Sequence, residues 1–204
     1  MDWVKLITDR ARTSGFLRVD ELARELNTSE VAVGNALRRQ ENRGLVEHFG
    51  KKIFINRLAH DFSGRELINM LRPEAYLSLE TVLRDSGVST QSPRSLTCVT
   101  PGRSGEFRSK SVSIIFRRLS NNLFWGFQEK RTRYGKYNLA EPEKALLDWV
   151  YLRRQEGSTI NTDELDVQAL DRSKLLRYAA QFPLPVKQQI VEALASFNSA
   201  QLHP

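Results

Sequence analysis

Between positions 29 and 43 the chain places Ser29, Ala32, Asn35, Arg38 and Arg39 three or four residues apart, with Val33, Ala36 and Leu37 between them. At 3.6 residues per turn the first group shares one face of a helix, and the apolar trio shares the face behind it. Such an outer face has a defined chemistry. A major groove admits an α-helix, arginine pairs bidentately with guanine, and asparagine pairs with adenine. Lys51 and Lys52 follow at what reads as a hairpin tip, within reach of phosphates or the minor groove, and Arg43 and Arg12 are further phosphate candidates. Gln40 falls where an apolar residue is expected. A buried unpaired amide is costly, so Gln40 is expected at a partly exposed edge. The competing reading of the same face is a solvated basic surface that docks a protein.

A second basic region lies further along the chain. Residues 84–138 hold 11 basic and 3 acidic groups, whereas 58–83 and 139–204 each carry net −2 and residues 1–57 only +3. Arg94, Arg103, Arg108, Lys110, Arg117, Arg118, Lys130, Arg131, Arg133 and Lys136 supply most of this charge, with Phe124, Trp125, Tyr134 and Tyr137 among them. Basic groups interleaved with aromatics on a sheet bind single strands by stacking or duplexes by phosphate contact. Charged edges that discourage strand pairing give the plainer account. Lys130, Arg131 and Arg133, expected in a turn, form the sharpest patch. Pro101 to Gly105 lacks the strand-to-helix setting of a phosphate-cradling loop and reads as a mobile basic turn.

Catalytic chemistry has little to draw on. His48, His60 and His203 share no ligand spacing, and Cys98, the single cysteine, excludes an internal disulfide and reads as a small core residue. Asp61 to Gly64 reads as a helix start. Glu141, Glu143 and Asp148 imitate a nuclease cluster only loosely, with no lysine-bearing strand beside them. The expectation is a protein that is not an enzyme and uses no metal or cofactor.

The elements that must position these groups emerge from periodicity and caps. Trp3, Leu6, Ile7 and Ala11 give a first helix closed by Gly15, and Phe16, Leu17 and Val19 an extended link. Asp20 reads as the N-cap of a second helix, Asn27 as a turn, and Thr28 or Ser29 as the cap of a third helix running to about Arg43, with Gly44 closing it. Two apolar strands, Leu45 to Phe49 and Lys52 to Ile55, complete the unit. Ser63 to Glu66 reads as a capping box for a helix that Pro73 stops, and Ser78 as the cap of another that Gly87 ends. Residues 96–139 read as strands, including an alternation of Leu123, Trp125 and Phe127. Helices then run from Pro142 to Arg153, Arg172 to Gln181 and Pro185 to Phe197, with 155–162 as a flexible connection.

The Pro142 helix has an ordinary structural reading. Glu141 and Glu143 offset the helix dipole, Ala145, Leu146, Trp149, Val150 and Leu152 face the sheet, and Lys144 with Asp148 makes a surface pair of about 0.3–0.5 kcal/mol. At 204 residues and net +7, with no apolar run of about 18 residues and no signal-peptide pattern, the chain fits a soluble cytoplasmic protein of one or two domains.

Two resemblances add to these readings. Ser29 to Val46 (SEVAVGNALRRQENRGLV) resembles the recognition helix and following strand of winged-helix regulators. Glu74 to Val88 (EAYLSLETVLRDSGV), Thr97 to Thr100 (TCVT) and above all Ala140 to Tyr151 (AEPEKALLDWVY) resemble AbiEi-type antitoxins, over essentially the whole chain. The resemblance implies a transcriptional autorepressor that is also the antitoxin of a type IV toxin–antitoxin (abortive-infection) pair. It would bind duplex DNA of its own promoter and counter a nucleotidyltransferase-like toxin, stable complex formation not being a general rule. The expected fold is α+β: a winged helix-turn-helix over 1–57, then an effector domain of a small antiparallel sheet and helices over 58–204. The alternative function is an interaction module that holds an acidic partner, such as the toxin, through the basic sheet.

Overall fold

The computed structural model describes residues 1–50, 52–158 and 165–200. It is a mixed α+β structure with two sheets. The first 56 residues run α1 (Trp3–Arg10), β1 (Phe16–Arg18), α2 (Val19–Glu25), α3 (Glu30–Glu41), β2 (Val46–His48) and β3 (Ile53–Asn56). The three strands pair antiparallel in the order β1-β3-β2, so the stretch after α1 is a true edge strand of this sheet.

Local chemistry sets these boundaries. Ser29 caps α3, its hydroxyl accepting the Ala32 N–H at 3.2 Å, and Gly44 adopts a left-handed φ of +75° just beyond the helix. Asp20 is not a cap. Helix α2 starts two residues earlier than such a cap would set it, at Val19, and Asp20 is clamped by Arg18 through contacts of 3.1 and 2.6 Å. The first helix also stops well before Gly15. Gly15 is instead where the Phe62 ring closes on the backbone, so close that a Cβ would lie 2.0 Å from the ring.

Strand β3 is buried on both faces. Phe54 joins Ile7, Leu22, Val33 and Leu37 in a core beneath the three helices. Ile53 and Ile55, pointing the other way by the period-2 alternation of a strand, join Phe49 in the main core, which belongs to the remainder of the chain. Residues 1–57 and the unit after them therefore share a packed apolar boundary.

That second unit comprises α4 (Leu67–Leu71), β4 (Tyr76–Leu77), α5 (Leu79–Asp85), β5 (Leu96–Thr100), β6 (Gly105–Arg108), β7 (Ser113–Arg118), β8 (Phe127–Thr132), β9 (Gly135–Ala140), α6 (Pro142–Gln155), α7 (Arg172–Ala179) and α8 (Leu184–Ala200). The sheet order is β6-β7-β5-β4-β9-β8, and it is mixed rather than antiparallel, because β4 runs parallel to β9 and β5 parallel to β7. Helices α5 and α6 pack together, with the indole of Trp149 donating to Glu80 at 3.1 Å.

Three local expectations fail. The Ser63 capping box does not form; Glu66 is buried and its carboxylate accepts the Thr132 hydroxyl at 2.5 Å. Ser78 sits at the start of α5, but its hydroxyl is given to Asp148 across the core. Residues 121–123 form a single tight helical turn, so Leu123 and Trp125 precede β8. The expected connection over 155–162 is α6 and a turn as far as Ser158, and its remainder lies outside the described residues.

Candidate nucleic-acid interface

Helix α3 turns Val33, Ala36 and Leu37 fully into the core and leaves Ser29, Ala32, Asn35, Arg38 and Arg39 exposed. Among the described residues, Arg38, Arg39 and Arg43 form no ion pair with a carboxylate. The exposed positive charge of α3 is therefore not neutralised internally. Lys52 behaves differently from expectation, because its ammonium lies 2.7 Å from Glu30 in the first turn of α3. An exposed pair of this kind is worth about 0–1 kcal/mol and yields readily to a competing anion. Lys51 lies outside the described residues.

Gln40 is buried, 6% exposed, and its Oε1 has no hydrogen-bond partner. The partly exposed edge expected for it does not exist, because β2 folds back across the end of α3, where the Leu45 N–H donates to the Gln40 carbonyl at 3.1 Å. His48, at the end of β2, is exposed, and its ring lies tilted against Phe54 at 5.0 Å.

The second unit contributes to this face. Arg108, at the end of β6 and paired there with Glu106 at 2.5 Å, and Lys110, on the turn to β7, border a depression of about 530 Å³ together with Arg38, His48 and Glu41. Glu47 of β2 holds the turn in place. Its carboxylate accepts the Ser111 N–H at 2.8 Å and pairs with Arg57 at 2.7 Å. Burial pushes the Glu47 carboxyl up, but hydrogen bonds from Ser109, Ser111 and Arg57 outweigh it and hold the group below its ordinary range. Sequence reading placed Arg108 and Lys110 in a general basic region. Nothing local in the chain signals that Glu47, 64 residues before Ser111, pins them beside Arg38.

The basic region 84–138 does not form one patch. Strands β6 and β8 are opposite edges of the sheet, so Arg108 is separated from Lys130 and Arg131 by the whole sheet. Lys130 and Arg131 are exposed on β8 itself rather than in a turn, and only Arg133 lies in the turn to β9. Much of this edge is internally compensated: Arg131 and Lys136 both reach Glu129, at 3.5 and 2.6 Å, and Arg133 reaches Asp61 at 3.6 Å. The aromatics give no stacking platform. Tyr134 and Tyr137 are buried, and Phe124 and Trp125 turn inward onto Tyr76 and Tyr178.

The largest surprise lies in α6. Lys144 and Asp148 are fully buried, not a surface pair. They are directly bonded, the Lys144 ammonium also donates to the Tyr76 hydroxyl at 3.0 Å, and Asp148 accepts Tyr76 at 2.9 Å and Ser78 at 3.0 Å. The rings of Trp125, Phe182 and Tyr76 surround the ammonium at 5.1, 5.3 and 5.4 Å. Gly126 is required here: its φ is +75°, and a Cβ would fall 2.9 Å from the Lys144 side chain. Burial pushes the Lys144 amine down and the Asp148 carboxyl up, and their mutual attraction opposes both shifts. Glu143 is buried as well, accepting the Asp171 N–H at 3.0 Å and pairing with Lys174 at 3.3 Å, so it ties α6 to α7. A cluster closed to solvent positions helices; it does not meet a ligand. Cys98 is likewise buried, which pushes its thiol well up and leaves it unreactive. Among the described residues no three His, Cys, Asp or Glu side chains converge as metal ligands, and no helix is long and apolar enough to cross a membrane.

No family model matches the chain, and no curated protein matches it.

Proposed function

We propose that the chain is a winged helix-turn-helix protein that binds duplex DNA of its own promoter and acts as an autorepressor and as the antitoxin of a type IV toxin–antitoxin pair. The observation that carries the DNA reading is the outer face of α3, where Asn35, Arg38 and Arg39 are exposed and the arginines have no carboxylate partner. These are the residue types that read base edges from a helix in the major groove. The strand and helix order α1-β1-α2-α3-β2-β3 supports the winged-helix part of the reading, with β2–β3 as the wing. Arg43, Lys52, Arg108 and Lys110 would hold phosphates on either side of α3.

The antitoxin part rests on the resemblance alone. Two of its segments, around Tyr76 and Ser78 and around Lys144 and Asp148, meet in one buried cluster. Residue types that must be hydrogen-bonded together in the core are under joint constraint.

The test is an electrophoretic mobility shift against the chain's own upstream DNA and against random duplex of equal length. Preferential binding upstream is expected, and equal binding to both would overturn the repressor reading. A second reading, an acidic protein held on the basic sheet, is favoured by Lys130 and Arg131 on the β8 edge, remote from the β6–β7 turn that flanks α3. Co-purification with the product of the adjacent gene, without DNA affinity, would favour it.

A further inference from the structure

A cleft of about 370 Å³ opens between the turn before α4, helix α5, the segment leading into β5, and the β6–β7 turn. Its walls carry three arginines, Arg65, Arg84 and Arg94, against one carboxylate, Asp85. Asp85 is already spoken for, since Arg65 donates to it at 2.6 Å and to the Tyr137 hydroxyl at 3.4 Å. Among the described residues neither Arg84 nor Arg94 has a carboxylate, a carbonyl or a ring to bind, and both are exposed at the cleft wall. The remaining lining is mostly hydroxyl, including Ser92 and Ser95, with apolar surface limited to Pro93, Leu96 and Val112.

This composition selects a ligand. Two exposed guanidiniums without partners, lining one concave site rich in hydroxyl groups, match the oxygens of a phosphate group, which arginine binds through parallel N–H donors. No lysine and no second carboxylate lines the cleft. A cation is therefore repelled, and an apolar ligand finds little to cover. Concavity sets the cleft apart from the convex α3 face, and its size is at the lower end of small-molecule sites, roughly 300–1,000 Å³. Arg65 is half-buried and held by two partners, so one wall is rigid before any ligand arrives.

We propose that the cleft between α5 and the β6–β7 turn binds the phosphate groups of a small phosphorylated ligand, with Arg84 and Arg94 as the principal contacts. The site does not depend on the DNA reading. It does abut it: Ser111 borders the cleft while its N–H donates to Glu47 on the strand beside α3.

The experiment is isothermal titration of the full chain with inorganic pyrophosphate, with a nucleoside triphosphate and, separately, with a random 12-base-pair duplex, repeated on Arg84→Ala/Arg94→Ala and on Arg118→Ala as a basic surface control. Saturable binding of pyrophosphate or triphosphate is expected, weakened at least about tenfold in the double variant, as for loss of one charge-assisted hydrogen bond, and unchanged in the control. Inorganic tripolyphosphate is titrated alongside: tighter binding of the nucleoside triphosphate than of tripolyphosphate would identify a nucleotide, and equal binding a simple polyphosphate. No saturable binding of either, or equal loss in the Arg118 control, overturns the proposal. So does a double variant that loses only duplex binding. Both substituted side chains are exposed, and circular dichroism of the variants checks that they fold.

Discussion

The Tyr76 hydroxyl donates to Asp148 across 72 positions of sequence, at 2.9 Å, while the same Asp148 neutralises Lys144 one helical turn before it. Strand β4 and helix α6 are thereby keyed to one another by a charged cluster in a site that excludes water. Removing one member strands the others. Asp148→Ala is expected to cost about 3–5 kcal/mol, because it leaves an uncompensated ammonium among aromatic rings, whereas Tyr76→Phe should cost about 1 kcal/mol. Urea denaturation monitored by Trp fluorescence measures both. Equal, small losses would mean that the charge is solvated.

Gln40 offers the opposite case. Its Oε1 is buried without a partner, so that oxygen is desolvated for no return. Gln40→Met, an unbranched apolar replacement of similar length, is expected to stabilise the chain by about 1 kcal/mol. Thermal unfolding would read this as a rise in Tm, and a fall would show that the amide is hydrogen-bonded after all.

Glu47 predicts a pH dependence. Its carboxyl is held below the ordinary value in the folded chain, so its contribution is fully present above the unfolded-state value near 4.5 and is lost as pH falls through the lower folded value. Glu47→Gln should therefore be less stable than the parent at pH 7, with the difference shrinking below about pH 4.5. Denaturant midpoints at pH 7 and pH 3.5 supply the comparison; a constant difference would remove ionisation from the explanation.

Arg38 and Lys110 should fail in different ways on DNA. Arg38→Ala is expected to relax sequence preference by about 1–3 kcal/mol, the value of one bidentate base contact. Lys110→Ala should weaken specific and random duplexes alike and reduce the salt slope of log K by about one. Binding isotherms at several salt concentrations distinguish the two patterns, and identical behaviour of both variants would remove the base-reading role from Arg38.

Features that depend on neighbours in the chain were legible in the sequence. The core and solvent faces of α3, its Ser29 cap, and the start of α6 at Pro142 are all set by spacing and local caps, and the structure agrees on each. Long-range partners were illegible. Lys144 and Asp148 stand at i,i+4 in a pattern that usually faces water, and only Tyr76, Ser78 and Trp125, all distant in sequence, convert it to a core feature. Gln40 was misread for the same reason, because what buries it is β2 folding back. Asp20 and Ser63 had cap-forming side chains, but α2 starts at Val19, with Arg18 clamping Asp20, and at the α4 start Glu66 bonds to Thr132 instead of completing a box. The basic region 84–138 was counted correctly, yet strand order, which no charge count contains, divides it between two edges.

Strand β3, enclosed on both faces, packs the core under helix α3 against the main core that holds β7 and the turn before it. Nothing between α3 and that turn has to be searched for or ordered when a ligand arrives. For any partner long enough to touch both, the second contact forms at a high effective concentration set by the fold. The entropy of aligning the two is lost during folding and not again on association. Such a surface accepts partners whose charges repeat at its own fixed spacing and gains little from those that do not.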